Sequence, residues 1–379
     1  MIERSLPLYF PQTKQLGDLA AQGRYRQLTA QTGIDFSSND YLGLAGSARI
    51  KTAISDAIVR GVPVGSGGSR LLRGNHSEHE MLEDEAATFF GTEAALYFSS
   101  GFAANAALFA SLPQRGDLVV YDALIHASVH EGMKLGRAAS VAAAHNDVGA
   151  FDEAIREWRG QGGSGRVWIA VESLYSMDGD LAPLDDLATL ARRQDAFLII
   201  DEAHATGVFG PDGRGLGAHL DGQDNIISLR TCGKALGCEG ALLTGPAIVR
   251  EFLINRGRGF IFSTAPSPLM ASAVREALHI LADEPDRRAR LAALADDARV
   301  RLVPLGAGAS PSQILPVIIG DDARAMTVAR AVQKAGYDVR GIRPPTVPAG
   351  TARLRVSITL NVTHDDIAGL ADAIEAALR

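Results

Sequence analysis

The chain has 379 residues, 46% of them hydrophobic and 21% charged, with a net charge of −7. That length supports about two to three domains, and that charge gives no overall attraction to nucleic acid or to an anionic membrane surface. No uncharged apolar run reaches the ~18 residues a membrane span needs, and the start MIERSLPLYFPQTK has no signal-peptide core.

Two cysteines, Cys232 and Cys238, build neither a disulfide framework nor a common zinc spacing. A soluble, cytoplasmic protein with no nucleic-acid or membrane partner is expected.

Residues 1–47 read as an N-terminal arm that closes on the turn Ser37-Ser38-Asn39-Asp40-Tyr41-Leu42-Gly43-Leu44. Residues 48–283 alternate short apolar runs with helical patterns. Segments 118–122, 167–172, 197–201 and 225–229 predict buried strands, and 184–194 carries helical spacing. Strands alternating with helices predict an α/β fold with a mostly parallel sheet covered on both faces. Pro266, Pro268 and Pro285 punctuate its end.

Helices are expected over 269–281 and 287–302, then a strand at 314–319 and a helix at 323–334. Strands at 339–342 and 354–360 and a helix from Asp365 follow. Residues 284–379 thus form a small C-terminal α+β domain beside the large one.

In open α/β sheets ligands sit beyond the carboxyl ends of the strands, which singles out three places. Asp201 follows one apolar run, Glu172 another, and Thr231-Cys232-Gly233-Lys234 a third. An acidic turn closing a strand would explain Asp201 alone; Lys234 in a glycine-flanked turn after the next strand changes the reading. Gly233 and Gly237 would let the backbone approach a ligand, and Thr231 offers a hydroxyl to a phosphate. A pyridoxal cofactor needs a lysine amine for its Schiff base and an acid that keeps its ring nitrogen protonated.

His204 is placed to donate to the phenolic oxygen of such a ring, and His126 to lie over its face. The loop Phe98-Ser99-Ser100-Gly101-Phe102-Ala103-Ala104-Asn105 opens a helix whose free N–H groups suit an anion. A serine that simply caps a core helix fits the same text.

No nearby carboxylate joins His126 and His130 in a ligand set, so no metal is expected; His76 and His79 read as surface residues at a helix start. Gly160-Gln161-Gly162-Gly163-Ser164-Gly165 spells GxGxxG, but it precedes a strand instead of following one, and it reads as a loop. For Glu172 a catalytic and a structural role both stand open.

The ordered set of motifs resembles the α-oxoamine synthases, a family of fold-type-I pyridoxal-phosphate enzymes. Asp201-Glu202-Ala203-His204, Thr231-Cys232-Gly233-Lys234, Asn39-Asp40-Tyr41-Leu42-Gly43-Leu44 and Gly65-Ser66-Gly67-Gly68-Ser69-Arg70 carry the likeness. So do His126-Ala127-Ser128, Ser176-Met177-Asp178-Gly179-Asp180 and Phe262-Ser263-Thr264, so that it spans nearly the whole chain.

The resemblance implies Lys234 as the Schiff-base lysine of pyridoxal 5'-phosphate and Asp201 under the ring nitrogen. It implies His204 and Ser176 at the ring substituents and His126 stacked on the ring. Gly101, Phe102 and Thr231 would hold the phosphate, with Thr264 reaching it from a neighbouring subunit of a homodimer. Arg355 would bind the amino-acid carboxylate, and Thr346 and Arg4 would contact substrate. His364 is given no role.

The segment running from Ile342 through Pro344-Pro345-Thr346-Val347-Pro348 to Arg355 narrows the likeness. It points to the members that condense L-alanine with a pimeloyl thioester, on coenzyme A or a carrier protein, in biotin formation. Carbon dioxide and the thiol carrier would leave. Sister members that use glycine or serine (glycine C-acetyltransferase, 5-aminolevulinate synthase, sphingoid-base synthases) share the same lysine, aspartate and histidine. A non-catalytic partner subunit of the same fold would lack the lysine, and Lys234 is present.

Overall fold

The computed structural model describes residues 8–379. Its strands are β1 (Ile34–Asp35), β2 (Ala94–Phe98), β3 (Leu118–Asp122), β4 (Ala139–Ala143), β5 (Val167–Glu172) and β6 (Ala196–Asp201). They continue with β7 (Ile226–Thr231), β8 (Ala241–Gly245), β9 (Ile314–Gly320), β10 (Tyr337–Asp338), β11 (Arg340–Ile342) and β12 (Ala352–Ser357).

Seven of these form one sheet in the order β2-β8-β7-β6-β5-β3-β4. The ladders from β7 through β6, β5 and β3 to β4 are parallel, and β8 runs antiparallel to both of its neighbours. This is the mostly parallel α/β sheet expected from the alternation of strands and helices.

Successive side chains on a strand point to opposite faces, and that period of two sorts the core. Val119, Trp168, Ala170, Ile199, Ile227 and Leu229 pack on one face with Leu108 and Phe109 of the helix Gly101–Ser111. Val120, Val167, Ile169, Val171, Leu198 and Ile200 pack on the other with Phe151, Leu187 and Ala191. Strands buried on both faces read as continuous apolar runs, which is why β5 and β6 stand out in the sequence. By the same parity Glu172, Asp201 and Thr231 all fall on the face covered by Gly101–Ser111. Four neighbouring parallel strands therefore end, at one edge, in Thr231, Asp201, Glu172 and Asp122.

The three-stranded antiparallel sheet β11-β12-β9 belongs to the C-terminal part, where the helices Asp322–Lys334 and His364–Leu378 bury Val328, Val332, Ile367 and Leu370. A reciprocal Thr363/Asp366 capping box starts the last helix. The N-terminal turn is tied to this sheet: β1 pairs with β10, Ser357 N–H donates to Phe36 O (2.9 Å) and Leu360 N–H to Tyr41 O (3.0 Å).

Among the described residues no helix is long and apolar enough to cross a membrane. The GxGxxG spelling leads from the end of the helix Val148–Gly160 into β5, as a loop.

Two local expectations are corrected. His79 is buried, not at the surface, with Nε2 2.8 Å from Pro266 O. It lies on the stripe His79, Leu82, Glu83, Ala86 and Phe90 of the helix Ser77–Phe90, which faces the core at helical spacing. Gly237 has φ +62°, and a Cβ there would fall 2.3 Å from Ala45 N. Its glycine answers to the backbone of the N-terminal turn and not to a ligand.

Candidate active site

A cavity of about 180 Å³ opens at the carboxyl edge of the large sheet, lined by Gly101, Phe102, Asn105, His126, Ser128, Glu172, Asp201, Ala203, His204, Leu229, Thr231 and Lys234. Seven residues singled out from the sequence for a cofactor meet here: Gly101, Phe102, His126, Asp201, His204, Thr231 and Lys234.

Asp201 is buried and accepts from Asn105 Nδ2 (2.9 Å) and from Ala203 N–H (3.0 Å), which fixes the carboxylate plane. Asn105 also donates to Ser128 Oγ (2.9 Å), and Ser128 Oγ lies 2.8 Å from His126 Nδ1. His126 precedes the helix Ala127–Leu135 as its N-cap, so it is not on one helix face with His130.

Lys234 Nζ lies 2.8 Å from His204 Nε2, and His204 Nδ1 lies 2.7 Å from Tyr41 Oη. Tyr41 donates in turn to Asn39 Oδ1 (3.0 Å), which also accepts from Arg355 Nη2 (3.0 Å). One tautomer satisfies the whole chain: Lys234 donates to Nε2, and Nδ1–H donates to Tyr41.

Burial holds His204 well below its ordinary pKa, and the Lys234 and Arg355 cations push the same way. Burial also lowers Lys234, to about 8, against the pull of the Asp201 and Glu172 carboxylates. An amine so lowered is partly neutral, hence nucleophilic, near neutral pH. Glu172 moves the other way: burial, then the charge of Asp201, push it up to about 8.

The cavity fits pyridoxal phosphate on the chemistry of its donors. At one end the helix Gly101–Ser111 begins, with Ser100 Oγ accepting from Ala103 N–H (3.1 Å) and Ser100 O from Ala104 N–H. That leaves the first-turn N–H groups of Gly101 and Phe102 for an anion beside Thr231. Capping serine and anion site therefore coexist. At the other end stands the Asp201 carboxylate. Glu172 Oε1 and Asn105 Oδ1 are buried without partners in the same wall, as expected of a chamber built around a polar group.

A second cavity of about 290 Å³ shares His126, His204 and Lys234 with the first and adds Ser37, Asn39, Ser176, Met177, Arg340, Ile342 and Arg355. Arg355 is buried and donates to Ser176 O (2.6 Å), Ser357 Oγ (2.8 Å) and Asn39 Oδ1. Two of its five N–H donors remain for a carboxylate.

A third cavity, of about 620 Å³, shares His126, Ser176 and Met177 with the second and reaches Pro345, Thr346, Val347 and Pro348. Thr346 thus stands two chambers away from Asp201. Thr264 is exposed and lines a separate small crevice with Arg70, Phe98 and Ser99, so this chain alone does not bring it to Lys234. Arg4 lies outside the described residues. His364 pairs with Asp297 at 2.9 Å, far from these chambers in role.

Three residues of the site carry no role legible from the sequence alone: Asn39, Tyr41 and Asn105. Asn39, Tyr41 and Asn105 sit inside the quoted motifs, and their position there was the available signal. Their hydrogen-bond partners are 316, 163 and 96 residues away.

The sheet edge, the helix start and the lysine opposite a buried aspartate define a fold-type-I pyridoxal-phosphate architecture. The chain belongs to the aminotransferase class I and II family, whose model matches residues 31–374.

Within that family it is 41% identical over 370 residues to a putative 8-amino-7-oxononanoate synthase of Geobacillus kaustophilus, covering 97% of this chain and 94% of that protein. It is 43% identical over 372 residues to 8-amino-7-oxononanoate synthase of Geobacter sulfurreducens, covering 93% of each. Among solved structures, serine palmitoyltransferase from S. paucimobilis with bound PLP superimposes with TM-score 0.87 at 26% identity over 97% of both chains. 8-Amino-7-oxononanoate synthase from Francisella tularensis gives TM-score 0.78 at 28% identity, over 91% of this chain and 98% of that one.

Proposed function

We propose that this chain condenses L-alanine with a pimeloyl thioester to give 8-amino-7-oxononanoate, carbon dioxide and the free thiol carrier, using pyridoxal 5'-phosphate. The observation that carries the reading is the convergence of Asp201, His204, Lys234 and the start of the helix Gly101–Ser111 on one cavity. Relatives named for that synthase at 41% and 43% identity support the choice of reaction.

When bound, pyridoxal phosphate supplies a protonated, electron-withdrawing ring that stabilises negative charge at the substrate's Cα. The residues do the rest. Asp201, held by Asn105 and the Ala203 amide, presents the carboxylate that would keep a ring nitrogen protonated. Lys234, with its lowered pKa, offers the amine that carries the cofactor and afterwards a base beside Cα. His204 carries its proton on Nδ1, locked by Tyr41, and turns the acceptor Nε2 towards Lys234. His126 would cover the ring, and the Gly101 and Phe102 amides with Thr231 would take the phosphate. Arg355 presents its two free N–H donors to the alanine carboxylate, a charge-assisted and bidentate geometry. The cavity of about 620 Å³ that ends at Thr346 would take the acyl chain.

The proposal includes a homodimer in the cytoplasm with Thr264 serving the partner's phosphate site, and Ser176 and Arg4 as further contacts. It also keeps the division into an arm (1–47), a large domain (48–283) and a small one (284–379). In support, the seven-stranded sheet is confined to residues 94–245 and the three-stranded sheet to 314–357.

Purified protein should be yellow, and borohydride should fix the cofactor's mass onto Lys234. With pimeloyl-CoA and L-alanine it should release carbon dioxide and form the oxo-amine, read by mass spectrometry. A sister reaction with L-serine is the second reading, favoured by the TM-score of 0.87 to serine palmitoyltransferase. A cofactor absorbance that responds to L-serine or glycine and not to L-alanine would replace the first reading with it.

A further inference from the structure

His145 and Asn146 follow β4, and the reaction as proposed uses neither. Each ring nitrogen of His145 meets a carboxylate: Nδ1 is 2.8 Å from Asp122 Oδ1 and Nε2 is 2.7 Å from Asp180 Oδ2. Two carboxylate acceptors on one imidazole require both nitrogens to donate, so the ring is the cation. It stands edge-on to Tyr175, with centroids 4.5 Å apart at 88°. Burial opposes the charge, but the hydrogen bonds to Asp122 and Asp180 outweigh it and hold the pKa up at about 10. Asn146, at φ +54°, backs the ring: its N–H donates to Asp122 Oδ2 (2.8 Å) and its Nδ2 to Asp180 Oδ2 (2.7 Å).

The two carboxylates belong to different parts of the cleft. Asp122 ends β3 and accepts from Leu124 N–H (2.8 Å), fixing the turn into His126. Asp180 closes the loop 175–180, in which Tyr175 N–H donates to Asp180 O and Gly179 N–H to Tyr175 O. That loop supplies Ser176 O to Arg355, and Met177 O and the Asp178 carboxylate to Arg353. Its other side is keyed into the C-terminal part, where Ser310 Oγ donates to Gly179 O at 2.7 Å.

Without the cation Asp122 and Asp180 would face each other as like charges. Glu172 and Tyr175, the other ionisable groups acting on Asp122's surroundings, bring no positive charge.

We infer that His145, as an imidazolium, is a positioning residue for the amino-acid substrate: it ties the loop 175–180 to the end of β3 and thereby sets where Arg355 meets a carboxylate. The inference rests on Arg355 as the carboxylate site. Asp122 keeps two backbone N–H donors without His145, so the turn into His126 and the cofactor chamber stand. The loop loses its charged anchor.

The test uses full-length, cofactor-loaded protein with His145→Gln and the double variant His145→Gln/Asp180→Asn. Dissociation constants are read for L-alanine from cofactor absorbance and for pyridoxal phosphate from titration of the apoprotein. His145→Gln should weaken L-alanine about tenfold, equivalent to about 1.4 kcal/mol, and leave pyridoxal phosphate within about twofold. The double variant, which removes one of the facing charges, should recover most of the loss. An unchanged L-alanine constant overturns the inference, as does a parallel loss of both ligands that the double variant does not recover.

Amide exchange at Tyr175 and Gly179 gives a readout independent of the reaction. It should accelerate in His145→Gln, and unchanged exchange also overturns the inference. A wild-type protein blind to L-alanine but with faster loop exchange in the variant would count against the proposed reaction and leave the anchor standing.

Discussion

Buried Glu172 and half-buried His145 have pKa values that move up for opposite reasons. Glu172 is raised by burial and by Asp201, so ionising it penalises the folded state. Its folded pKa of about 8 lies above the ordinary 4.5, so the folded state loses stability relative to the unfolded chain as pH rises through that window. Glu172→Gln removes the effect. The variant's unfolding temperature should therefore gain on the wild type's between pH 4.5 and 8, and a constant difference would contradict this.

His145 is raised by attraction. Its contribution is fully present below its ordinary 6.5 and fades as pH climbs to about 10. The destabilisation by His145→Gln should be largest at the acid end of that range and shrink towards its alkaline end, as followed by thermal unfolding.

At this scale the sequence was informative where one residue type has one chemical use. A lysine in a glycine-flanked turn after a strand, with an aspartate at the previous strand end, announced the cofactor. Asn39, Tyr41 and Asn105 were not assigned, because their work is to hold other side chains and the partners are far off along the chain. His79 was misplaced because a histidine near a helix start looks exposed until the stripe Leu82, Ala86 and Phe90 is aligned with it.

The elements that position the site divide by how their burial shows in sequence. Strands β3, β5 and β6 run apolar up to a terminal carboxylate because both faces are covered, and β7 opens on Ile226-Ile227; these were legible. Strands β2 and β8 are equally buried but open on alanine and leucine, which suit a helix as well, and β4 is an exposed edge of alanine, serine and valine; none announces itself by pattern.

The turn between β7 and β8, which carries Lys234, depends on Gly237. Gly237→Ala would force a side chain onto the left-handed backbone and against Ala45 N. It should lower the unfolding temperature and release pyridoxal phosphate more readily, as measured by dialysis.

The strand β7 itself is anchored by Arg230, fully buried, paired with Asp221 at 2.6 Å and stacked 4.0 Å from the Phe90 ring centroid. Asp221→Ala strands that cation in the interior and should cost about 3–5 kcal/mol in chemical unfolding.

At the scale of the whole molecule, the chain leaves apolar surface uncovered next to Thr264. Phe262 is 71% exposed and Leu72 85%. The segments that bear them are stitched together by Ala265 N–H to Gly68 O and Ser267 Oγ to Val64 O. The proposed homodimer would cover these side chains. Phe262→Glu should shift the protein from a two-chain to a one-chain mass in sedimentation and weaken pyridoxal phosphate with it.

The three chambers stand in series, and His126 is the one described residue that borders all of them. Cofactor, amino acid and acyl chain would thus lean on a common wall. Whatever fills one chamber changes the contact surface offered to the next, so the three ligands cannot bind as strangers.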